Sequence, residues 1–322
     1  MLQLKQIEKT YPQLDKPTLN HINLNVNNQE VVALVGPSGS GKSTLLKVIS
    51  GLLDVDKGSV FLNNEKVIGP SEQLVPGHPK IKMIHQDFNL FPKISVEDNI
   101  EFHLRNFVDK YKYRRINEML KLCKLEKLRS KLPYELSGGE KQRLAIAKTL
   151  ADEPLLLLMD EPFTALDNIL KNDIMDDIFE IVDKAGISTL FVTHDTRDAM
   201  SYADRVLVMK NGKIISNDSP QKTYQQPRNK FIAEFFGNAN IVNASLAYLL
   251  NIKINTSADL LIRYEDIYEV ENGFEAKILE SKYLGFGYEH KLIVADQIVL
   301  KMWTSEKAGE TIRILISKFW EL

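Results

Sequence analysis

The chain has 322 residues, 44% of them hydrophobic and 26% charged, with a formal net charge of −2 and a pI near 6.3. That length accommodates one large and one small domain, and the near-neutral, slightly acidic balance argues against a nucleic-acid partner, which would call for a basic excess. A single cysteine, Cys123, excludes an intramolecular disulfide and fits a reducing, cytosolic setting.

The N-terminal stretch "MLQLKQIEKTYP" has no long apolar core, so no signal peptide is expected. Leu2 and Leu4, then Ile22, Leu24 and Val26, alternate with polar residues and predict half-buried antiparallel strands. "VVALV" (31–35) is apolar throughout, as suits a strand covered on both faces. "VFLNNEKVI" places an Asn-Asn turn between short β runs and predicts a hairpin. Between about 95 and 150 the pattern turns helical, opening on Ser95 and Asp98 as a capping box. Within it "KYKYRR" (110–115) reads as a solvated helix face, and Cys123 in "MLKLCKLEKL" as a small buried hydrophobe. "LLLLM" (155–159) and "STLFV" (188–192) repeat the fully apolar strand pattern. "VLVMKNGKII" carries Asn211-Gly212 between apolar runs, a hairpin signal. The next segment, to about 238, is helical with prolines at its breaks. From about Asn240 short β runs follow one another and predict a small barrel-like β domain. No run approaches the ~18 apolar residues of a membrane span, so any spanning would fall to another chain.

The three apolar strands all stop at chemically loaded residues: Gly36, Asp160-Glu161 and His194-Asp195. Ligands of open α/β sheets bind beyond the carboxyl ends of the strands, so these ends point to one site. "GPSGSGKS" (36–43) satisfies G-x-x-x-x-G-K-[ST] between a strand and a helix. Backbone N–H groups around Gly36, Ser38, Gly39 and Gly41 would wrap phosphate oxygens, with Thr44 in the first helical turn. Lys42 would reach the β- and γ-phosphates, and Ser43 would hold Mg²⁺. Asp160 would serve the same metal while Glu161 polarises the attacking water. His194 would hydrogen-bond the γ-phosphate. A second phosphate device appears in "YELSGGEKQR", where Ser137, Gly138 and Gly139 open a helix.

Taken in order, these motifs resemble those of the ATP-binding subunit of an ABC transporter over residues 1 to about 240. The resemblance implies an α/β fold: a P-loop ABC ATPase domain over 1–239, a mixed sheet with a helical subdomain at about 88–150. It aligns Tyr11 with the aromatic that stacks on adenine, and Gln86 in "IHQDFNLFP" with the glutamine that contacts magnesium and water. It aligns Leu136–Glu140 with the signature sequence, Asp167 in "TALD" with the loop that crosses a dimer interface, and His194 with the switch histidine. Glu140 stands where the commonest signature has glutamine. Residues 240–322 resemble the TOBE domain of certain importer ATPases, through "FFGNANIV", "LLIRYEDI", "ESKYLGFGYEHKLIV" and "TIRILISKFWEL", with Tyr264 replacing a family proline. Those importers take up polyamines, iron(III), sulfate, molybdate or sugars.

The resemblance therefore implies ATP and Mg²⁺ at two sites shared by a homodimer, the signature of one copy closing over the P-loop of the other. It implies membrane permease subunits as partners, an external solute-binding protein indirectly, and a position on the inner face of the cell membrane. "FNLFPKISVED" is the expected surface for the permease. Two alternatives stay open: an ABC ATPase outside transport, disfavoured by the single P-loop and signature, and a C-terminal domain that senses the solute.

Overall fold

The structure, a computed structural model, describes residues 1–84, 89–161, 168–253 and 257–322, without the side chains of 168–170. Its contacts divide the chain into two units, Met1–Pro220 and Gln221–Leu322.

The first unit carries two sheets. Strands β1 (Leu2–Lys9), β2 (Leu19–Val26), β4 (Lys57–Leu62) and β5 (Glu65–Lys66) form an antiparallel sheet in the order β2-β1-β4-β5. The alternation in the sequence decides its register: Leu2, Leu4, Ile22, Leu24 and Val26 all turn inward and are buried. Asn63 and Asn64, at φ 48° and 68°, make the β4–β5 turn, because short polar side chains tolerate the left-handed region that a two-residue hairpin needs. The second sheet contains β3 (Val31–Val35), β6 (Ile81–Ile84), β7 (Leu156–Asp160), β8 (Ser188–Val192), β9 (Arg205–Lys210) and β10 (Lys213–Asp218), ordered β10-β9-β3-β8-β7-β6. Its first five in chain order pair in parallel and β10 alone antiparallel, through the Asn211-Gly212 turn. Helix α1 (Lys42–Ile49) lies in the core between the sheets, with Leu45, Leu46 and Ile49 packed among Leu4, Ile22, Leu34 and Leu190.

Between β6 and β7 runs the helical lobe: α2 (Val96–Glu101), α3 (Asp109–Leu122) and α4 (Gly138–Leu150), joined by short 3₁₀ turns. The Ser95–Asp98 capping box is present on α2. Helices α5 (Asn168–Ala185) and α6 (Thr196–Tyr202) flank β8 in sequence. Cys123 caps α3 and is fully buried. The "KYKYRR" face is only partly solvated: Arg115 turns inward and donates to Leu150 O (2.7 Å) and Ala151 O (3.3 Å). A guanidinium there satisfies carbonyls that the end of α4 leaves open.

The second unit takes in α7 (Pro220–Gln225) after its first residue, then α8 (Lys230–Phe236) and seven strands. These are β11 (Ala239–Val242), β12 (Leu260–Arg263), β13 (Ile267–Tyr283), β14 (Tyr288–Val294), β15 (Ile298–Thr304), β16 (Thr311–Ile316) and β17 (Trp320–Glu321). They form antiparallel sheets of three and four strands, ordered β11-β12-β17 and β15-β14-β13-β16, around a shared core of Val242, Leu260, Leu292, Leu300 and Ile314. Arg263 is buried on β12, donating to Ala233 O (2.7 Å) and Tyr224 O (2.9 Å) and lying over the Tyr224 ring.

Candidate functional site

Register brings the loaded strand ends to one level. Val192 of β8 pairs with Leu34 of β3 on one side and Asp160 of β7 on the other. One or two residues further along, the three chains deliver Gly36, Glu161 and His194. The Glu161 N–H donates to Val192 O at 3.2 Å, which keeps the acid beside β8 beyond its own strand.

The loop after β3 can only be built from glycine at its two ends. Gly36 has φ +153°, and a Cβ there would lie 2.1 Å from Met209 O. Gly41, the N-cap of α1, has φ +102°, and a Cβ would lie 2.6 Å from Thr18 O. With no side-chain cap at Gly41, the first N–H groups of α1 keep their donors for an anion. Ser38 and Gly39 are exposed on the outside of the loop. Lys42 is 8% exposed and folds back over the loop, donating to Gly36 O (2.8 Å) and Pro37 O (3.1 Å). Burial pushes its pKa below the usual lysine range, while Glu161 and then Asp160 push it back up.

Ser43 Oγ donates to Asp160 Oδ1 at 3.2 Å. This sets a hydroxyl and a carboxylate, both hard oxygen donors, side by side, and such a pair fits magnesium. Thr44 Oγ1 lies 3.5 Å from the Tyr11 hydroxyl, so Tyr11 borders the first turn of α1. Glu161, at φ 48°, carries its carboxylate 3.5 Å from His194 Nδ1. Gln86 and Asp167 lie outside the described residues.

The second expected phosphate device, Ser137 to Gly139, lies at the start of α4. Ser137 is its N-cap, and a capping box links it to Glu140: Glu140 N–H donates to Ser137 Oγ (3.3 Å), and Ser137 N–H to Glu140 Oε2 (2.7 Å). The Ser137 N–H holds the Glu140 carboxyl below the usual range, against burial, with the Ser137 hydroxyl adding to it. Gly138 and Gly139 occupy the first helical positions, where N–H groups have no intrahelical partner.

Sequence reasoning missed the polar side chains that hold these parts in place. Lys171 of α5 pairs with Asp195 (3.1 Å) and Asp198 (2.7 Å) on α6 and its cap. Lys148 of α4 donates to Asn89 O at 2.5 Å and lies over the Phe91 ring. Asn99 of α2, fully buried, bonds to Phe91, Ile94 and Ser95. Asn99 had a signal: asparagine is a poor helix-interior residue because its side chain bonds nearby backbone, and here its partners lie four to eight residues away.

A glycine-bounded phosphate loop, opening a helix after a parallel strand and faced by two acids from the end of β7, the next strand but one, defines a P-loop nucleotide-binding protein. The family described as ABC transporter matches residues 19–164. The spermidine/putrescine import ATP-binding protein PotA of Haemophilus ducreyi is 33% identical over 278 residues, 84% of this chain and 73% of that protein. PotA of Thermotoga maritima is 37% identical over 76% of this chain, and the Fe(3+) ions import ATP-binding protein FbpC of Fusobacterium nucleatum 36% over 76%. The aligned region spans 65% of the length of each of those two. The solved structure of cbiO1 from Clostridium perfringens, part of the ABC transporter complex cbiONQ, superposes with a TM-score of 0.62 at 30% identity, over 69% of this chain and 89% of that one. The ATP-binding cassette MJ0796, a dimer bound to ADP and Pi, superposes with a TM-score of 0.57 at 32% identity, over 68% and 99%. The chain belongs to the ABC transporter family of ATP-binding proteins.

Proposed function

We propose that this chain is the ATP-hydrolysing subunit of an ABC import system, working as a homodimer beneath a membrane permease. The observation that carries the reading is the meeting of the Gly36–Ser43 loop, Asp160, Glu161 and His194 at one edge of the parallel sheet. Relatives named as import ATP-binding proteins, and a dimeric cassette among the structural neighbours, support the rest. No helix among the described residues is long and apolar enough to cross a membrane, which fits a subunit docked on the inner face of one.

In this reading the loop N–H groups and Lys42 hold the β- and γ-phosphates and offset their charge. Ser43, Asp160 and Gln86 would hold magnesium, which supplies Lewis-acid polarisation of phosphate oxygens when bound. Glu161 takes the proton side of the attacking water, and His194 orients both the water and the γ-phosphate. Tyr11 stacks on the adenine. Ser137, Gly138 and Gly139 of one copy close over the γ-phosphate held by the other, with Asp167 crossing between them. Little covalent chemistry falls to the protein, so closure and reopening of the pair do the coupling. Selection of the solute rests with the permease and an external binding protein.

Glu161→Gln tests the core of this reading. The amide keeps size and position but cannot take a proton, so turnover should fall about 10²–10⁴-fold. ATP binding should persist, and the dimer should accumulate in size-exclusion chromatography with ATP. Hydrolysis at the parent rate would show that Glu161 is not the base.

A further inference from the structure

His194 is 62% exposed at its side chain, too open for packing alone to hold the ring at 3.5 Å from Glu161. What holds it is the chain on either side. Thr193 is buried, and its hydroxyl donates to Asp198 Oδ2 at 2.9 Å while accepting the Asp195 N–H at 3.0 Å. Asp195 in turn caps α6, accepting the Arg197 N–H at 2.9 Å. The residues before and after His194 are therefore tied to each other and to the first turn of α6. That lock carries two carboxylates in a poorly solvated place, and one cation joins them. Lys171 Nζ is 2.7 Å from Asp198 Oδ2 and 3.1 Å from Asp195 Oδ2, with the lysine only 9% exposed. Arg197 also approaches Asp195, at 3.5 Å, but is 87% exposed at its side chain and contributes little.

Lys171 comes from a different element. It stands one turn into α5, the helix that follows residues 162–167 and so succeeds Glu161 in the chain. Glu161 is bonded through its N–H to Val192 O, two residues before His194. Both ends of the path from Glu161 to α5 are thus fastened to the segment that presents His194: one by a backbone bond, the other by the lysine. We propose that Lys171 is a positioning residue for hydrolysis, its ammonium tying α5 to Asp195 and Asp198 so that His194 is held against Glu161. The inference rests on the ATPase reading above. It also gives α5 a route to the γ-phosphate site: a shift of that helix moves the lysine, and with it both neighbours of the histidine.

The test uses the full chain with three variants. Lys171→Met removes the strut, and a displacement of about 1 Å at the reacting groups costs on the order of 10²-fold in kcat. The Kd for a fluorescent ATP analogue should stay within about twofold, since the phosphate loop is untouched. Lys171→Arg, whose planar fork suits two carboxylates, should retain most of the turnover. Lys171→Met with Asp198→Asn removes the uncompensated buried acid, so thermal stability should return while kcat stays low. The inference is overturned if Lys171→Met turns over like the parent, if Lys171→Arg does not retain turnover, or if the double variant regains kcat together with stability. A parent chain that hydrolyses no ATP, or a Glu161→Gln variant as active as the parent, would instead overturn the functional reading.

Discussion

Asn99 should be the single most informative substitution outside the phosphate site. Its Oδ1 accepts the Phe91 N–H at 2.8 Å, and its Nδ2 lies 3.1 Å from Phe91 O, 3.1 Å from Ile94 O and 2.9 Å from Ser95 O. Two amide hydrogens cannot serve three carbonyls fully, so the side chain makes about three effective bonds. At about 1 kcal/mol each, Asn99→Ala forfeits about 3 kcal/mol. Helix propensity returns a few tenths of that, up to about 0.7 kcal/mol. Ser95 O keeps the Asn99 N–H as a partner, and Phe91 and Ile94 are half-buried, so water relieves part of the loss. The net local cost is about 2–3 kcal/mol, or roughly 30- to 150-fold in an opening equilibrium. Both tryptophans, Trp303 and Trp320, lie in the second unit, so fluorescence would miss this change. Hydrogen exchange does not: the Phe91 amide, which also loses its acceptor outright, should lose protection by at least that factor while the strands of the parallel sheet keep theirs. In the functional reading proposed above, the homodimer without its permease should still hydrolyse ATP within a few-fold of the parent, while coupling to the permease should fail. A change in Phe91 protection below about fivefold would refute the reasoning, because it would mean the clamp is worth less than ~1 kcal/mol.

Two further outcomes follow. Ser137→Arg removes an N-cap bonded to Glu140 and places a long cation at the start of α4, so hydrolysis should be lost while fluorescent-ATP binding to the single chain stays within about twofold of the parent. Retained hydrolysis in that variant would argue against a shared site. Burial pushes the Cys123 thiol up to about 12, so at pH 8 it stays protonated in the folded chain and should react with a disulfide reagent only as the helical lobe opens; in denaturant, with a pKa of about 8.5, it should react at once.

How far the sequence could be read depended on the range of each interaction. The phosphate loop was legible because its pattern is local: Gly36, Gly41 and Lys42 stand at fixed spacing, although the carbonyls that leave no room for a Cβ at the two glycines, Met209 O and Thr18 O, come from elsewhere in the chain. The strand ends were legible because burial on both faces leaves a continuous apolar run, and the register of β3, β8 and β7 needs no more than equal run lengths. The two hairpins were legible because Asn-Asn and Asn-Gly suit positive φ. The cations were not. Lys148 in "AIAKTL" and Lys171 in "NILKND" look like solvated helix positions, as Arg115 did in "KYKYRR". Yet each is at least half-buried and answers carbonyls or carboxylates far away in the chain: Lys148 meets Asn89, Arg115 meets Leu150, Lys171 meets Asp198. A charged side chain advertises its partner only when the partner sits within a turn or two, as Ser95 with Asp98 or Ser137 with Glu140. Residues of the proposed phosphate site are thus written in short motifs, whereas the residues that hold those motifs against one another depend on which helices the fold brings together. Lys171 belongs to the second kind: its sequence neighbourhood resembles any helix surface, and its role exists only because α5 passes beside the loop that carries His194.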